Sequence, residues 1–121
     1  MVCLFGDRDM DLERLKEELR RDEGYRMYPY KCTSGKITIG YGRNIEDMGI
    51  SEDEAEYMLS NDIQLCVTWL DKEYPWFKKL SDTRQRALIN MLFNLGIPRF
   101  TGFRKMIRAY FKTSNSPRMS F

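Results

Sequence analysis

Three side chains and a pair of glycines in the first third of the chain have the types and spacing for chemistry. Glu23 stands where a helical pattern gives out, just before Gly24 and an aromatic, β-rich stretch. A carboxyl group placed there is close to the strands that follow yet need not be fully solvated. Partial burial raises the pKa of such a group and keeps it protonated as a proton donor. Thr38 lies between Ile37 and Ile39, so strand alternation turns its hydroxyl to the face opposite the two isoleucines. With those isoleucines on a core, Thr38 points to solvent or into a cleft. Cys32 lies across a turn from Thr38, and Gly40 and Gly42 flank Tyr41 and leave backbone open to close approach. A carboxyl, a hydroxyl and a thiol beside open backbone form an acid–base set. Taken singly, each residue has a plainer meaning: a solvated charge, a strand former, a small buried hydrophobe, a turn. The acidic run Glu46, Asp47, Glu52, Asp53 and Glu54 reads as a solvated helix start.

Composition narrows the chemistry. The 121 residues contain no histidine, which removes Ser-His-Asp hydrolases, Cys-His proteases and zinc sites with histidine ligands. Acid–base work must then fall to carboxylates, lysine, tyrosine or thiol. With 42% hydrophobic and 31% charged residues, the length and composition predict one folded domain, or one compact body of two small lobes. No apolar run approaches a membrane span, and stable membrane insertion is not expected. The net charge of +2 comes from basic residues interleaved with acids. Arg20, Arg21, Arg84, Arg86, Arg104, Lys105 and Arg108 form no recognition-helix spacing, so no nucleic-acid partner is expected. The odd set Cys3, Cys32 and Cys66, without a CxxC pair, argues against a zinc ribbon or a disulfide framework. The first nine residues show neither a basic nor an apolar leader region, so synthesis in the cytoplasm without a signal peptide is the expectation. No metal or organic cofactor is implied.

The elements that must position these residues follow from periodicity. Leu12, Leu15 and Leu19 make one apolar stripe on a helix capped by Asp11 and stopped at Gly24, with Glu17 and Arg21 spaced to pair. Tyr28 to Cys32 and Ile37 to Ile39, joined by Thr33-Ser34-Gly35-Lys36, predict a small hairpin. Ser51-Glu52-Asp53-Glu54 is a capping box for a long helix whose apolar face is Ala55, Met58, Leu59, Ile63, Cys66, Val67 and Leu70, ending before Pro75. Ser81 caps a helix with Ala87, Leu88, Met91, Leu92 and Leu95 inward and Gly96 at its end. Thr101 to Tyr110 is a further amphipathic segment, and 111–121 read as a loose tail.

In order and spacing, these pieces resemble a family. Arg21-Asp22-Glu23-Gly24, then Tyr30-Lys31-Cys32-Thr33-Ser34-Gly35, then Thr38-Ile39-Gly40-Tyr41-Gly42-Arg43 are similar to the active-site signature of phage-type lysozymes, the endolysins of the T4 and P22 type. The Ser-Glu-Asp-Glu-Ala-Glu segment and Arg86 to Gly96 carry the likeness to about residue 110. The resemblance implies an α+β, lysozyme-like fold: a hairpin lobe (11–50), a connecting helix (51–74) and a helical lobe (75–110), shortened at the carboxy-terminus, in a single domain. It implies inverting cleavage of the N-acetylmuramic acid–N-acetylglucosamine bond of peptidoglycan after release through another route. Glu23 would be the general acid, and Cys32 and Thr38 would position or activate the water. By the same resemblance Tyr30, Gly42, Arg43, Asn90 and Asn94 are expected to touch the glycan strand.

Two departures stand out. Cys32 takes the place of the family's usual aspartate. A thiol near pKa 8.5 is mostly protonated at pH 7, whereas a carboxyl near 3.9 is ionised. Activity that is reduced, or that rises toward alkaline pH, is therefore expected. The family also usually continues with several more helices, so uncovered apolar faces on 81–95 and 101–110 predict self-association or a loosened carboxy-terminal half. The alternative reading is a catalytically impaired relic or glycan-binding module on the same fold.

Overall fold

The structure, a computed structural model, describes residues 9–112. The chain divides into two compact units that meet between Ser51 and Glu52.

The first unit opens with helix α1 (Leu12–Glu23), started by Asp11, whose side chain accepts from the Arg14 N–H at 3.0 Å. Leu12 and Leu15 are half-buried, but Leu19 is exposed, so the apolar stripe is used over only part of its length. Arg21 bonds the neighbouring Asp22 at 3.2 Å, where an i,i+4 pair with Glu17 was expected. The helix stops at Gly24, whose φ of 71° is costly for any other residue.

A three-stranded antiparallel sheet follows in the order β1-β2-β3: β1 (Arg26–Lys31), β2 (Ile37–Gly40) and β3 (Arg43–Asn44). The expected hairpin is thus extended by a short third strand. Tyr30 pairs with Thr38 and Lys31 with Ile37, but the register shifts between Arg26 and Tyr30. Pro29 falls in that irregular stretch, where it has no N–H to lose from the ladder. Asn44 then caps a single helical turn, α2 (Ile45–Met48), accepting the Asp47 N–H at 3.1 Å. The alternation expected for β2 is inverted. Thr38 is buried at 3% exposure while Ile37 is 40% exposed.

The second unit begins with α3 (Glu52–Glu73), the long helix expected here, which ends two residues before Pro75. A 3-10 turn (Phe77–Lys79) leads to α4 (Asp82–Thr101), capped by Ser81, which accepts from the Arg84 N–H at 3.3 Å. Gly96, at φ 79° and ψ 162°, breaks α4 internally, and Pro98 sits just beyond, where a new helical turn tolerates it. Gly96 therefore ends a helix as its sequence context implies, but the chain resumes helical winding at once instead of waiting for Thr101. Short α5 (Arg104–Ile107) and a wide turn (Arg108–Lys112) complete the described chain. Leu70, Tyr74, Phe77, Leu88, Leu92, Phe100, Ile107 and Phe111 form the core. Trp69 meets Phe100 edge-on at 5.7 Å. Phe111 corrects the sequence reading, which began a loose tail there. Its ring is buried at 2% exposure, Lys112 completes the same turn, and residues 113–121 lie outside the described residues. In the first twelve residues of α3, Met58, Leu59 and Ile63 stay exposed although they belong to the apolar face. The whole is the α+β composition that the sequence predicts. No described helix is long and apolar enough to cross a membrane.

Candidate active site

The end of α1 and the sheet bring most of the candidate residues into one unit. The Gly24 N–H bonds the Arg20 carbonyl at 2.9 Å and closes the helix, which leaves Glu23 as its last residue. The Glu23 carboxylate lies over Gly42. A β-carbon at Gly42 would stand 2.5 Å from Glu23 Oε2 and 2.8 Å from Cδ. Gly42 also has φ 76°, a backbone conformation that favours glycine, while an added β-carbon would push the flexible Glu23 side chain aside. Tyr25 and Tyr41, near Glu23 and Gly42 in the chain, pack with ring centres 5.6 Å apart. The sheltered carboxyl expected from the sequence is not found, because Glu23 is exposed.

Cys32 and Thr38 come together at the other end of β2. The Cys32 N–H bonds the Lys36 carbonyl at 3.0 Å, and the Gly35 N–H bonds the Cys32 carbonyl at 2.8 Å, which folds 32–36 into a tight turn. Within it, Cys32 Sγ lies 2.9 Å from Ser34 Oγ. The Cys32 thiol is lowered from 9.0 to about 7, chiefly by the Ser34 hydroxyl, then by the Thr38 hydroxyl and the backbone N–H groups of Ser34 and Lys36. The Thr38 hydroxyl itself donates to the Lys36 carbonyl at 3.0 Å. Cys66, on α3, is shifted the opposite way: burial pushes its thiol up, with the nearby Asp62 adding to the shift.

The turn is fastened from outside by α2. The Ile37 N–H donates to Glu46 Oε1 at 3.1 Å, and Lys36 Nζ lies 3.7 Å from Glu46 and 3.3 Å from Asp47. Glu46 and Asp47 are thus braces for the turn, not simply solvated charges. Among the expected glycan contacts, Tyr30 is half-buried opposite Thr38, with the Arg26 guanidinium stacked 4.6 Å from its ring centre. Arg43 Nη1 donates to the Gly49 carbonyl at 3.2 Å. Asn90 and Asn94 belong to the second unit, where the Asn94 amide bonds Asn90 Oδ1 at 2.8 Å and the Asn90 carbonyl at 2.9 Å. With Leu59, Ile63, Arg86, Ile89 and Phe93 they line a groove of about 580 Å³.

Ser34 is the participant that sequence reasoning missed. The sequence places it in the turn and within the Tyr30–Gly35 signature but gives it no role, and the available signal is a hydroxyl two residues from a thiol. Among the described residues, no group of three or more acidic or cysteine side chains could hold a metal ion.

These residues lie within a stretch of known kinship. Residues 20–115 match the family model described as phage lysozyme. The chain is 32% identical over 87 residues to an endolysin of Acyrthosiphon pisum secondary endosymbiont phage 1, covering 69% of this chain and 58% of the endolysin. It is 24% identical over 123 residues to probable T4-type lysozyme 2 of Dictyostelium discoideum, covering 78% of this chain and 72% of that protein. Probable T4-type lysozyme 1 of the same organism is also 24% identical. The family match spans the end of α1, the sheet and all of the second unit's described helices, and on that extent the chain belongs to the phage lysozyme family.

Proposed function

We propose that this chain is a cell-wall muramidase that cleaves the β-1,4 bond between N-acetylmuramic acid and N-acetylglucosamine with inversion. The observation that carries this reading is the seating of Glu23 on Gly42, in the same unit as the turn that holds Cys32 and the strand that holds Thr38. In this reading Glu23 gives its proton to the glycosidic oxygen as the carbon–oxygen bond breaks. The water attacks the anomeric carbon from the opposite face and loses its proton to Cys32 Sγ. Turnover leaves Glu23 ionised and Cys32 as thiol, and proton exchange with solvent restores both. The Thr38 oxygen keeps lone pairs to orient the water while its own proton stays on the Lys36 carbonyl. The aromatic face of Tyr30 and Arg43 on the first unit, and separately Asn90 and Asn94 on the second, are assigned to glycan contacts.

A turbidity assay on permeabilised Gram-negative cells tests the reading, with the parent, Glu23→Gln and Cys32→Asp side by side. Glu23→Gln should abolish lysis, and Cys32→Asp should retain or raise it. Lysis undiminished in Glu23→Gln would sink the proposal. The burial of Thr38, with its proton already committed, favours a second reading in which the fold binds glycan with little turnover. In that case the parent binds peptidoglycan without lysing cells, and Glu23→Gln leaves binding unchanged.

Delivery to the cell wall after release from the cytoplasm belongs to the same proposal. So does self-association through the second unit, supported by the exposure of Leu59, Ile63 and Phe93 around the α3–α4 groove. Sedimentation that stays monomeric at high concentration would count against it.

A further inference from the structure

The turn that carries Cys32 holds more donors than a buried hydrophobe needs. Cys32 Sγ is 2.9 Å from Ser34 Oγ, a short approach for sulfur, and either atom can be the donor. The backbone N–H groups of Ser34 and Lys36 also act to lower the Cys32 thiol pKa. The Thr38 hydroxyl is close too, but a hydroxyl has one proton, and that of Thr38 is directed to the Lys36 carbonyl at 3.0 Å. Thr38 can support an anionic sulfur only by giving up that bond. Ser34 is then the hydroxyl left to donate.

The turn itself is held in shape from several sides. Gly35 sits at φ 83°, the Cys32 and Gly35 N–H groups close the loop, and Glu46 takes the Ile37 N–H from α2. The charged side chains around the turn are Lys31 at the end of β1, Lys36 in the turn itself, and Glu46 and Asp47 on α2. Lys36 lies against both acids, so the local charges largely offset each other. Directed hydrogen bonds, not a neighbouring cation, remain to favour the thiolate.

We propose that Ser34 is a positioning residue for the reaction: its hydroxyl donates to the Cys32 sulfur, aims the thiolate, and reverses to accept the S–H once the sulfur has taken the proton of the water. The proposal rests on the reading of Cys32 as base. It requires no oxidant and no covalent adduct, because a single proton moves from water to sulfur and the Ser34–Cys32 bond changes direction. Ser34 itself does not contact the sugar. It is exposed, so replacing it opens no cavity in a core.

The test uses the full chain with Ser34→Ala and Ser34→Thr. Iodoacetamide incorporation into the Cys32 peptide, followed by mass spectrometry against pH, reads the thiol directly and apart from Cys3 and Cys66. In Ser34→Ala the alkylation midpoint should move up by about one pH unit, the size expected for one lost hydrogen bond to a charged acceptor. The acidic limb of the lysis profile should move with it, and Ser34→Thr should restore both. In a Cys32→Asp background, Ser34→Ala should leave the acidic limb in place. An alkylation midpoint unchanged in Ser34→Ala overturns the proposal. So does a midpoint that moves while the lysis profile stays fixed. Failure of the wider muramidase reading looks different: Glu23→Gln then keeps full lysis whatever Ser34 does.

Discussion

The Glu23 carboxylate rests on the bare α-carbon of Gly42, at a distance that leaves no room for a methyl group. Helix α1 ends on one partner and β3 begins just after the other, so the contact joins the two elements that present the candidate acid. The φ of 76° demands glycine, and an added β-carbon would displace the Glu23 carboxylate from its seat.

Gly42→Ala should therefore act on activity more than on folding. Backbone strain should cost about 1–2 kcal/mol in chemical denaturation. Displacement of Glu23 by about 1 Å should slow lysis roughly a hundredfold. Gly49→Ala is the control. It sits at φ 62° with nothing within 4 Å of an added β-carbon, so it should show strain with little loss of lysis.

Cys32, with its thiol lowered to about 7, makes the activity of the parent pH-dependent. Thiolate should rise from about a tenth at pH 6 to about nine-tenths at pH 8, and lysis should rise with it. Cys32→Asp, ionised from about pH 5 upward, should flatten that rise. The sign for stability is set by the same shift. The folded thiol titrates below the unfolded value of 9.0, so the unfolded chain binds more protons between pH 7 and 9. Stability from this group should grow across that window and vanish as pH falls through 7. The difference between parent and Cys32→Ser in urea at pH 6 and pH 9 measures it.

Phe111 distinguishes a packed end from a loose one. Its ring is 2% exposed among Phe100, Ile107 and the α3–α4 core. Phe111→Ala should cost about 3–5 kcal/mol by denaturant titration. A change below 0.5 kcal/mol would place the ring outside the core.

Glu46 accepts the Ile37 N–H and pairs with Lys36. Glu46→Ala should cost about 1 kcal/mol, because the hydrogen bond is exposed and water replaces part of it. It should also raise amide exchange at Ile37, which hydrogen-exchange mass spectrometry can follow.

Helix ends and turns were legible because they depend on local chemistry: Asp11, Gly24, Ser81 and Gly96 stand where a cap or a break is needed. Glu23 and Gly42 could be named from the family's residue order, but their contact could not, since it joins residues nineteen apart through tertiary geometry. The facing of Thr38 was misread because alternation fixes only relative sides, and the two isoleucines did not decide which side was buried. The two-residue strand β3 and the one-turn α2 were too short for any period to register. Phe111 was passed over because the polar residues after it masked one aromatic anchor.

The irregular stretch around Pro29 also bears on solubility. β1 is an outer strand of a three-stranded sheet, and the opposite border, β3, is only two residues long. An unguarded border offers a row of amides on which another chain can stack. Here one border carries an imino acid and a pairing offset, and the other is too short to template a neighbour. The sheet should therefore resist fibrous growth by strand addition at either side.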